Sequence, residues 1–475
     1  MAGAGPAGTG KIRVKFLVNN EKKKVVFAES GKEFVDVLLS FLTLPLGTIV
    51  RLLGKESSLG CFDELYKSVE SLDASHFQTK ACKNMLLRPL SAAGKLCEDL
   101  VVRIDDTNHR AIRVCRQPKC VTDTPYYSSV RDVPCGQCGE SLVVLWSSWT
   151  KGDREAKDDG VFVRGGMSYG ITDGLQVVPA DTDNLMLLLR DLGVEDVDIL
   201  EEKALELGLE EIRNLLKQIL TSDQPLTDII FNPSHESTRT DEAISMDAYV
   251  SSEDDSGSDS NVIKVKLLVA KTDQSVVHAE VGEEFCNLLF SFLTLPLGHV
   301  IKLLGASSSI SCVVNLYRSV ELNLVDCIDE SRDMVISPRL PPFFSCSNPL
   351  LPSDEEPPTV SSVTFCSPCI RNCSHLVLEK MKCSHDNTKL LAVNPKVPTL
   401  TTEIGGGYAK GPGKFLVTDG LGVVPFSLTN ALHELKGKEL SVSKLETTEV
   451  TFTQVEVIRV TFFLSSCLHT TNLLA

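Results

Sequence analysis

A long block of this chain occurs twice. Residues 12–70 line up with residues 263–321 at a constant offset of 251 and without a gap. About half of the aligned positions are identical, including the run Phe41-Leu42-Thr43-Leu44-Pro45-Leu46-Gly47 against its copy from Phe292 to Gly298. A repeat this long is a whole folding unit rather than one module of a solenoid. The chain therefore reads as a tandem duplication, and any fold assigned to it must be built twice.

The offset changes along the chain. Cys115, Cys135 and Cys138 match Cys346, Cys366 and Cys369 at an offset of 231, whereas Thr172-Asp173-Gly174-Leu175 and Val177-Val178-Pro179 match their second copies at 246. Insertions and deletions are tolerated in surface connections, because closure entropy grows slowly with loop length. Each copy thus divides into an N-terminal lobe, a cysteine-bearing insert and a C-terminal lobe. In the first copy these are residues 11–75, 100–145 and 160–233 of a repeat spanning 11–233; the second, degenerate repeat spans 262–475. The second copy lacks about twenty residues before its cysteines. The first carries there a segment, 100–104 and 111–115 around Asp105-Asp106-Thr107-Asn108, that reads as a β-hairpin leading into the first cysteine pair.

Within one repeat, polar and apolar residues alternate from Lys11, Asn19-Asn20-Glu21 supplies a turn, and Val25, Val26 and Phe27 follow, which predicts a hairpin. Phe34, Leu38, Leu39, Phe41 and Leu42 then recur at helical spacing until Pro45. Ile49, Leu52 and Leu53 predict a second short helix, and Leu65, Tyr66 and Val69 one more helical turn. The C-terminal lobe starts the same way. Residues 168–172 and 175–178 flank the Asp173-Gly174 turn, helix follows with Asp181 or Thr182 as its cap, and further helices are expected over 197–207 and 209–220. The fold class is α+β, with two hairpin-then-helix, grasp-like lobes flanking a small zinc-ribbon-like insert in each copy.

Between the copies, residues 234–261 are poor in apolar side chains and end in the run Ser251-Ser252-Glu253-Asp254-Asp255-Ser256-Gly257-Ser258-Asp259-Ser260. Such a stretch buries too little to offset its ordering entropy and reads as an acidic, Ser-rich linker, either a plain tether or a substrate for acid-directed kinases.

The strongest chemical signal is Cys115-x4-Cys120 followed by Cys135-Gly136-Gln137-Cys138. Zinc takes four soft ligands in a tetrahedron, and two close pairs on two turns supply them without a large core. Gly136 and Gly139 suit the sharp backbone turn of a knuckle. These four cysteines are the expected ligands of a structural zinc; buried free thiols and a redox CxxC are the alternatives. A redox pair belongs at the start of a helix after a strand, and Pro134 with the polar residues after Cys138 does not provide that setting. In the second copy Cys346, Cys366 and Cys369 remain, but Leu351 stands where Cys120 would be, leaving Cys373 or His375 to complete a set. That pattern reads as a decaying structural site, against the alternative of an open catalytic one. Cys383 and His385 form a further pair with no assignable partner.

A net charge of −16 over 475 residues argues against a protein that coats DNA or anionic membrane, although Arg110, Arg113, Arg116 and Lys119 cluster near the first cysteine pair and keep a local nucleic-acid contact in play. The longest apolar runs, 35–46 and 288–297, are too short to span a bilayer, and no apolar leader follows Met1. A cytoplasmic or nuclear protein without membrane association is expected, and its 16 cysteines then favour ligands or thiols over disulfides. No catalytic residues stand out. The glycines and lysine from Gly405 to Lys414 lack phosphate-loop spacing, and no HExxH or GxSxG occurs.

The lysine-valine strand at Lys15 and Lys266, the Phe-Leu-Thr-Leu-Pro-Leu-Gly run, the CxxC at Cys135 and Cys366, and the Thr-Asp-Gly-Leu with Val-Val-Pro at Thr172 and Thr418 together resemble a plant protein family catalogued as domain of unknown function 674. The resemblance spans nearly the whole chain and implies a plant source, but no activity, substrate or catalytic residue. The reading it leaves is a non-enzymatic intracellular scaffold or interaction protein, stabilised by zinc, with protein partners. A nucleic-acid-associated protein using the basic ribbon and an enzyme with a site between the lobes are the competing classes.

Overall fold

The computed structural model describes residues 10–57, 59–117, 119–120, 126–147, 159–232, 262–272, 275–304, 310–346, 351, 353–358, 364–366, 375–376, 387–389, 391–397, 406–436 and 441–452. The linker 234–261 lies outside them, as do Cys369, Cys373, Cys383 and His385.

The first half opens with the expected hairpin, β1 (Ile12–Asn19) and β2 (Lys24–Ser30), then α1 (Lys32–Leu42), α2 (Leu46–Leu52), α3 (Cys61–Ser71), α4 (Lys80–Leu87) and the single turn α5 (Gly94–Cys97). The cysteine insert supplies β3 (Ile112–Val114), β4 (Tyr126–Ser128) and β5 (Val143–Ser147). Then come β6 (Tyr169–Thr172), β7 (Val177–Pro179), α6 (Thr182–Asp191), β8 (Leu200–Leu207), α7 (Leu209–Thr221) and α8 (Pro225–Phe231). The second half repeats the order with β9 (Ile263–Ala270), β10 (Val276–Val281), α9 (Glu283–Phe292), α10 (Leu297–Leu304), α11 (Ser311–Glu321) and α12 (Asp329–Ile336). It continues with β11 (Thr364–Cys366), β12 (His375–Leu376), β13 (Asn387–Lys389), β14 (Leu391–Ala392), β15 (Phe415–Val417), β16 (Val423–Pro425), α13 (Leu428–Lys436) and β17 (Leu445–Phe452).

The two hairpins of each half do not build separate lobes. They join edge to edge, giving one five-stranded sheet in the order β7-β6-β2-β1-β8 and a second in the order β16-β15-β10-β9-β17. The core-facing residues of β1, among them Val14 and Phe16, are buried while Arg13 and Lys15 face out, which is the alternation the sequence carries. One difference from the expected helices is β8. Its sequence, Leu-Glu-Glu-Lys-Ala-Leu-Glu-Leu, favours helix, yet it pairs antiparallel with β1 from Ile12↔Leu207 to Asn19↔Leu200. Tertiary pairing outweighs propensity here because β1 otherwise leaves a full row of buried-edge amides and carbonyls unpaired. The outward charges of Glu201, Glu202, Lys203 and Glu206 then keep this edge strand from recruiting another chain.

A second difference lies at 100–115, where only 112–114 is strand and no hairpin forms. Asp105 and Asp106 instead fold back onto Arg51, whose guanidinium donates to Asp105 Oδ1 at 2.7 Å, Asp106 Oδ1 at 2.5 Å and Thr107 Oγ1 at 3.2 Å. His109 Nε2 lies 3.0 Å from Asp105 Oδ2, so a buried polar clasp takes the place of the ladder.

The halves interlock through the segment repeated in sequence. Leu46 N donates to Leu295 O and Leu297 N to Leu44 O, both at 2.9 Å, so the two Pro-Leu-Gly turns face one another across a local pseudo-twofold axis. Helix α1 packs on α10, α11 and α12 of the other half. Phe62 meets Phe292 edge-on at 6.3 Å and Phe77 stacks on Phe290 at 5.9 Å, and one continuous apolar core runs through both halves. Matching side-chain bonds cross as well: Ser319 Oγ accepts from Val177 N at 2.9 Å, and Ser68 Oγ from Val423 N at 2.8 Å.

Two straps complete the exchange. In the first half Asp36, on α1, accepts from the amides of Val161, Phe162 and Val163, and the strap then bridges to the other half, where Ile328 N donates to Phe162 O and Arg164 N to Asp326 O. In the second half Asn287 Oδ1 accepts from Tyr408 N and Ala409 N, while Gln78 N donates to Tyr408 O and Lys410 N to His76 O. The glycine-rich stretch before Lys414 is this strap and not a phosphate loop; Lys414 itself pairs with Glu280.

Candidate metal centre

Cys115 follows directly on β3, and Cys120 lies five residues on. Cys135 and Cys138 sit on a tight turn whose two sides are tied by Leu142 N donating to Val133 O at 2.9 Å and Cys135 N to Glu140 O at 2.7 Å. Gly139 N closes the knuckle on Cys135 O at 2.9 Å, and Gly139 takes φ +74°, a conformation that disfavours any Cβ. Gly136 has no such backbone requirement. Gln117 N points at Cys115 Sγ at 3.4 Å, the amide-to-sulfur contact expected around a thiolate ligand.

The four sulfurs all lie within 4.8 Å of one another, and Cys115 Sγ is 3.5 Å from Cys138 Sγ. Cys115, Cys120 and Cys135 are buried and Cys138 is exposed. None is in a disulfide. Desolvation, then the neighbouring sulfurs, pushes the Cys115 and Cys120 thiols up. At Cys138 desolvation also acts upward, but the Glu140 amide and the three adjacent thiols hold it below its ordinary value. Four thiols converging at this distance, with one already biased toward thiolate, form a set that can hold a metal ion.

The second set is not comparable. Cys346 is half-buried with the Lys396 ammonium 3.9 Å from its sulfur, Leu351 is buried at the place of Cys120, and Cys366 lies in β11. Cys369 and Cys373 fall outside the described residues. Among the described residues no second group of metal-ligating side chains converges.

The basic cluster near the ribbon is not one open face. Arg110 is held by Glu98 Oε2 at 3.4 Å and Asp99 Oδ2 at 3.0 Å, and Arg113 is buried, donating to the Ser129 carbonyl. Arg116 and Lys119 are exposed. Other polar groups went unnoticed in the sequence, notably Asp36, the Arg51-Asp105-His109 clasp, and Lys396, whose ammonium lies 4.2 Å from the Tyr408 ring centroid. A signal for Asp36 existed: a lone acid inside the apolar run of α1, aligned with Asn287 in the other copy.

The ribbon does not stand apart from the rest. Its sheet runs β12-β5-β3-β4-β14, so strands of the second half flank those of the first, β12 parallel to β5 and β14 parallel to β4.

The chain belongs to the family described as "Protein of unknown function (DUF674)", whose model matches residues 8–455. No curated protein and no solved structure matches it. Among the described residues no helix is long and apolar enough to cross a membrane.

Proposed function

We propose that the protein is a non-enzymatic scaffold built from two tandem copies of one grasp-like unit, in which a structural zinc ion held by Cys115, Cys120, Cys135 and Cys138 locks the first half's ribbon into a sheet shared with the second. The observation that carries this reading is the position of the cysteine quartet: it sits in the connections between β3, β4 and β5, strands of the one sheet that, among the described residues, takes strands from both halves. Zinc is the metal that four thiolates on two knuckles suit best, and a closed four-ligand set leaves no open position for substrate. The buried carboxylates also act on the protein's own backbone. Asp173 Oδ1 accepts from Leu226 N and Thr227 N while Thr227 Oγ1 donates to its other oxygen, which fastens α8 under the sheet, and Asp36 fastens a strap. Protein partners and an intracellular location belong to the same proposal. Metal analysis of purified protein tests it: about one zinc per chain is expected, held against mild chelators, whereas metal-free protein with freely titrating thiols at all four cysteines would overturn it.

A further inference from the structure

Beside the ribbon, a cavity of about 120 Å³ opens between α4, the Asp105 loop and β4. Arg88, Arg113 and Arg131 line it together with Asn84, Thr107 and Asn108, and no carboxylate is among its lining residues. Three guanidiniums on one small cavity repel each other, and a guanidinium taken out of water without a counter-charge is costly. The nearby acids are shared with other cations, Asp106 pairing with both Arg51 and Arg88. Asp105 and Asp106 bind Arg51, Arg88 Nη1 also pairs with Asp106 Oδ1 at 3.5 Å, and Asp132, which attracts Arg113, is itself taken by Asn84 Nδ2 at 2.7 Å and sits 3.9 Å from Lys80. Arg113 is 6 % exposed and donates to a neutral carbonyl, that of Ser129.

We infer that this cavity is a binding site for a tetrahedral oxyanion of the phosphate class, either free phosphate or the phosphoryl group of a small monoester, with Arg88, Arg113 and Arg131 as its cationic ligands. Arginine suits that role because its planar fork donates two parallel hydrogen bonds to one oxyanion. Size narrows the ligand. At about 120 Å³ the cavity is enough for one oxyanion and well under the roughly 300 Å³ where drug-sized pockets begin. Any larger part of a ligand lies outside, toward the exposed Arg88 and Arg131.

The second half supplies an internal contrast. At the cysteine offset, Phe344, fully buried, stands in place of Arg113 and Ser362 in place of Arg131, and aligning α12 with α4 puts Ser337 in place of Arg88. The three arginines are therefore private to the first half and are not a by-product of the repeated fold.

The test is calorimetric titration of the full-length protein with inorganic phosphate at constant ionic strength, chloride being the reference anion, with glycerol phosphate as a second arm. Saturable 1:1 binding is expected. Arg88→Ala and Arg131→Ala, both at exposed positions, should each weaken it by about tenfold or more, the scale of one lost charge-assisted bond. Arg339→Ala, which is not among the residues lining the cavity, should leave it unchanged. Tighter binding of the monoester assigns the site to a phosphorylated small molecule, and binding of phosphate alone assigns it to the free ion. Absence of saturable binding of either probe, or equal binding by the Arg88→Ala/Arg131→Ala double variant with wild-type melting, overturns the inference.

Discussion

The two halves share a sheet order and an interlock, but they part at the ribbon. The first keeps four converging cysteines and an arginine-lined cavity; the second has Leu351, Phe344 and Lys396 in that region, with the Lys396 ammonium donating to Ser345 O at 2.5 Å and resting on Tyr408. What stayed alike is what the halves need from each other: the Pro-Leu-Gly turns, the serines Ser68 and Ser319, and the straps. The halves differ most where one half can act for both. Because β12 and β14 of the second half lean on the first half's ribbon, a single ribbon suffices to order that shared sheet.

The largest effect expected from this asymmetry is at the cysteines. Structural zinc contributes on the order of 10 kcal/mol in small metal-dependent modules, so Cys135→Ser should unfold the ribbon and lower the melting temperature sharply, with loss of the proposed zinc. Cys366→Ser should change both far less. Thermal melts paired with metal analysis compare the two variants, and equal losses would break the contrast.

The straps offer a second contrast, in pH. Asp36 is buried, and desolvation raises its carboxyl from 3.8 to about 6 despite the three amides it accepts. The folded state thus binds a proton more tightly than the unfolded one. The stability that this proton confers is complete below about pH 3.8, is lost as pH rises toward 6, and stays lost above that. At 1.36 kcal/mol per unit, the swing is on the order of 3 kcal/mol. Asn287, its counterpart, has no such dependence. Subtracting the denaturation curves of Asp36→Asn from those of wild type between pH 4 and 7 should isolate this slope, since other titrating carboxylates cancel; a flat difference would show that Asp36 is no more burdened than Asn287.

How much of this was legible in the chain follows from which forces are local. The β1–β2 hairpin and α1 were readable because alternation, helical spacing and Pro45 all act within a few residues. The cysteine quartet was readable because metal ligands come in short spacings. Strand β8 was not, since its own residues favour helix and its partner β1 lies nearly two hundred residues away. The Arg51 clasp was hidden for the same reason: Asp105 and Asp106 look like a turn until a guanidinium from α2 reaches them. Nor does any local pattern announce that two copies pass straps to one another.

The interlock itself can be strained at one atom. A Cβ on Gly47 would meet Leu293 O at 2.9 Å and Leu86 O at 3.0 Å, and one on Gly298 would meet Val335 O at 2.8 Å and Leu42 O at 3.0 Å. Both obstacles are backbone and neither can swing away, so Gly47→Ala and Gly298→Ala should each destabilise by about 1–3 kcal/mol, the usual range for overpacking. Gly282→Ala, with nothing within 4 Å of the added methyl, is the control. Urea denaturation showing the three variants alike would mean that the halves are not closely seated at these turns.

The smallest effect should come from cutting the connection between the halves. Residues 234–261 carry too few apolar side chains to anchor themselves, so limited proteolysis is expected to cut there first. Separate lobes would then drift apart. Interlocked halves would not, because α1 remains packed on α10, α11 and α12, the ribbon sheet still draws strands from both sides, and each strap is still hydrogen-bonded to the opposite half. The nicked protein should therefore elute as one species of native size. What the cut removes is the tether, which turns an intramolecular contact into an association between two chains and makes the melting temperature depend on protein concentration where the intact chain's does not. Elution as two independent monomers would show that the linker, and not the interlock, holds the molecule together.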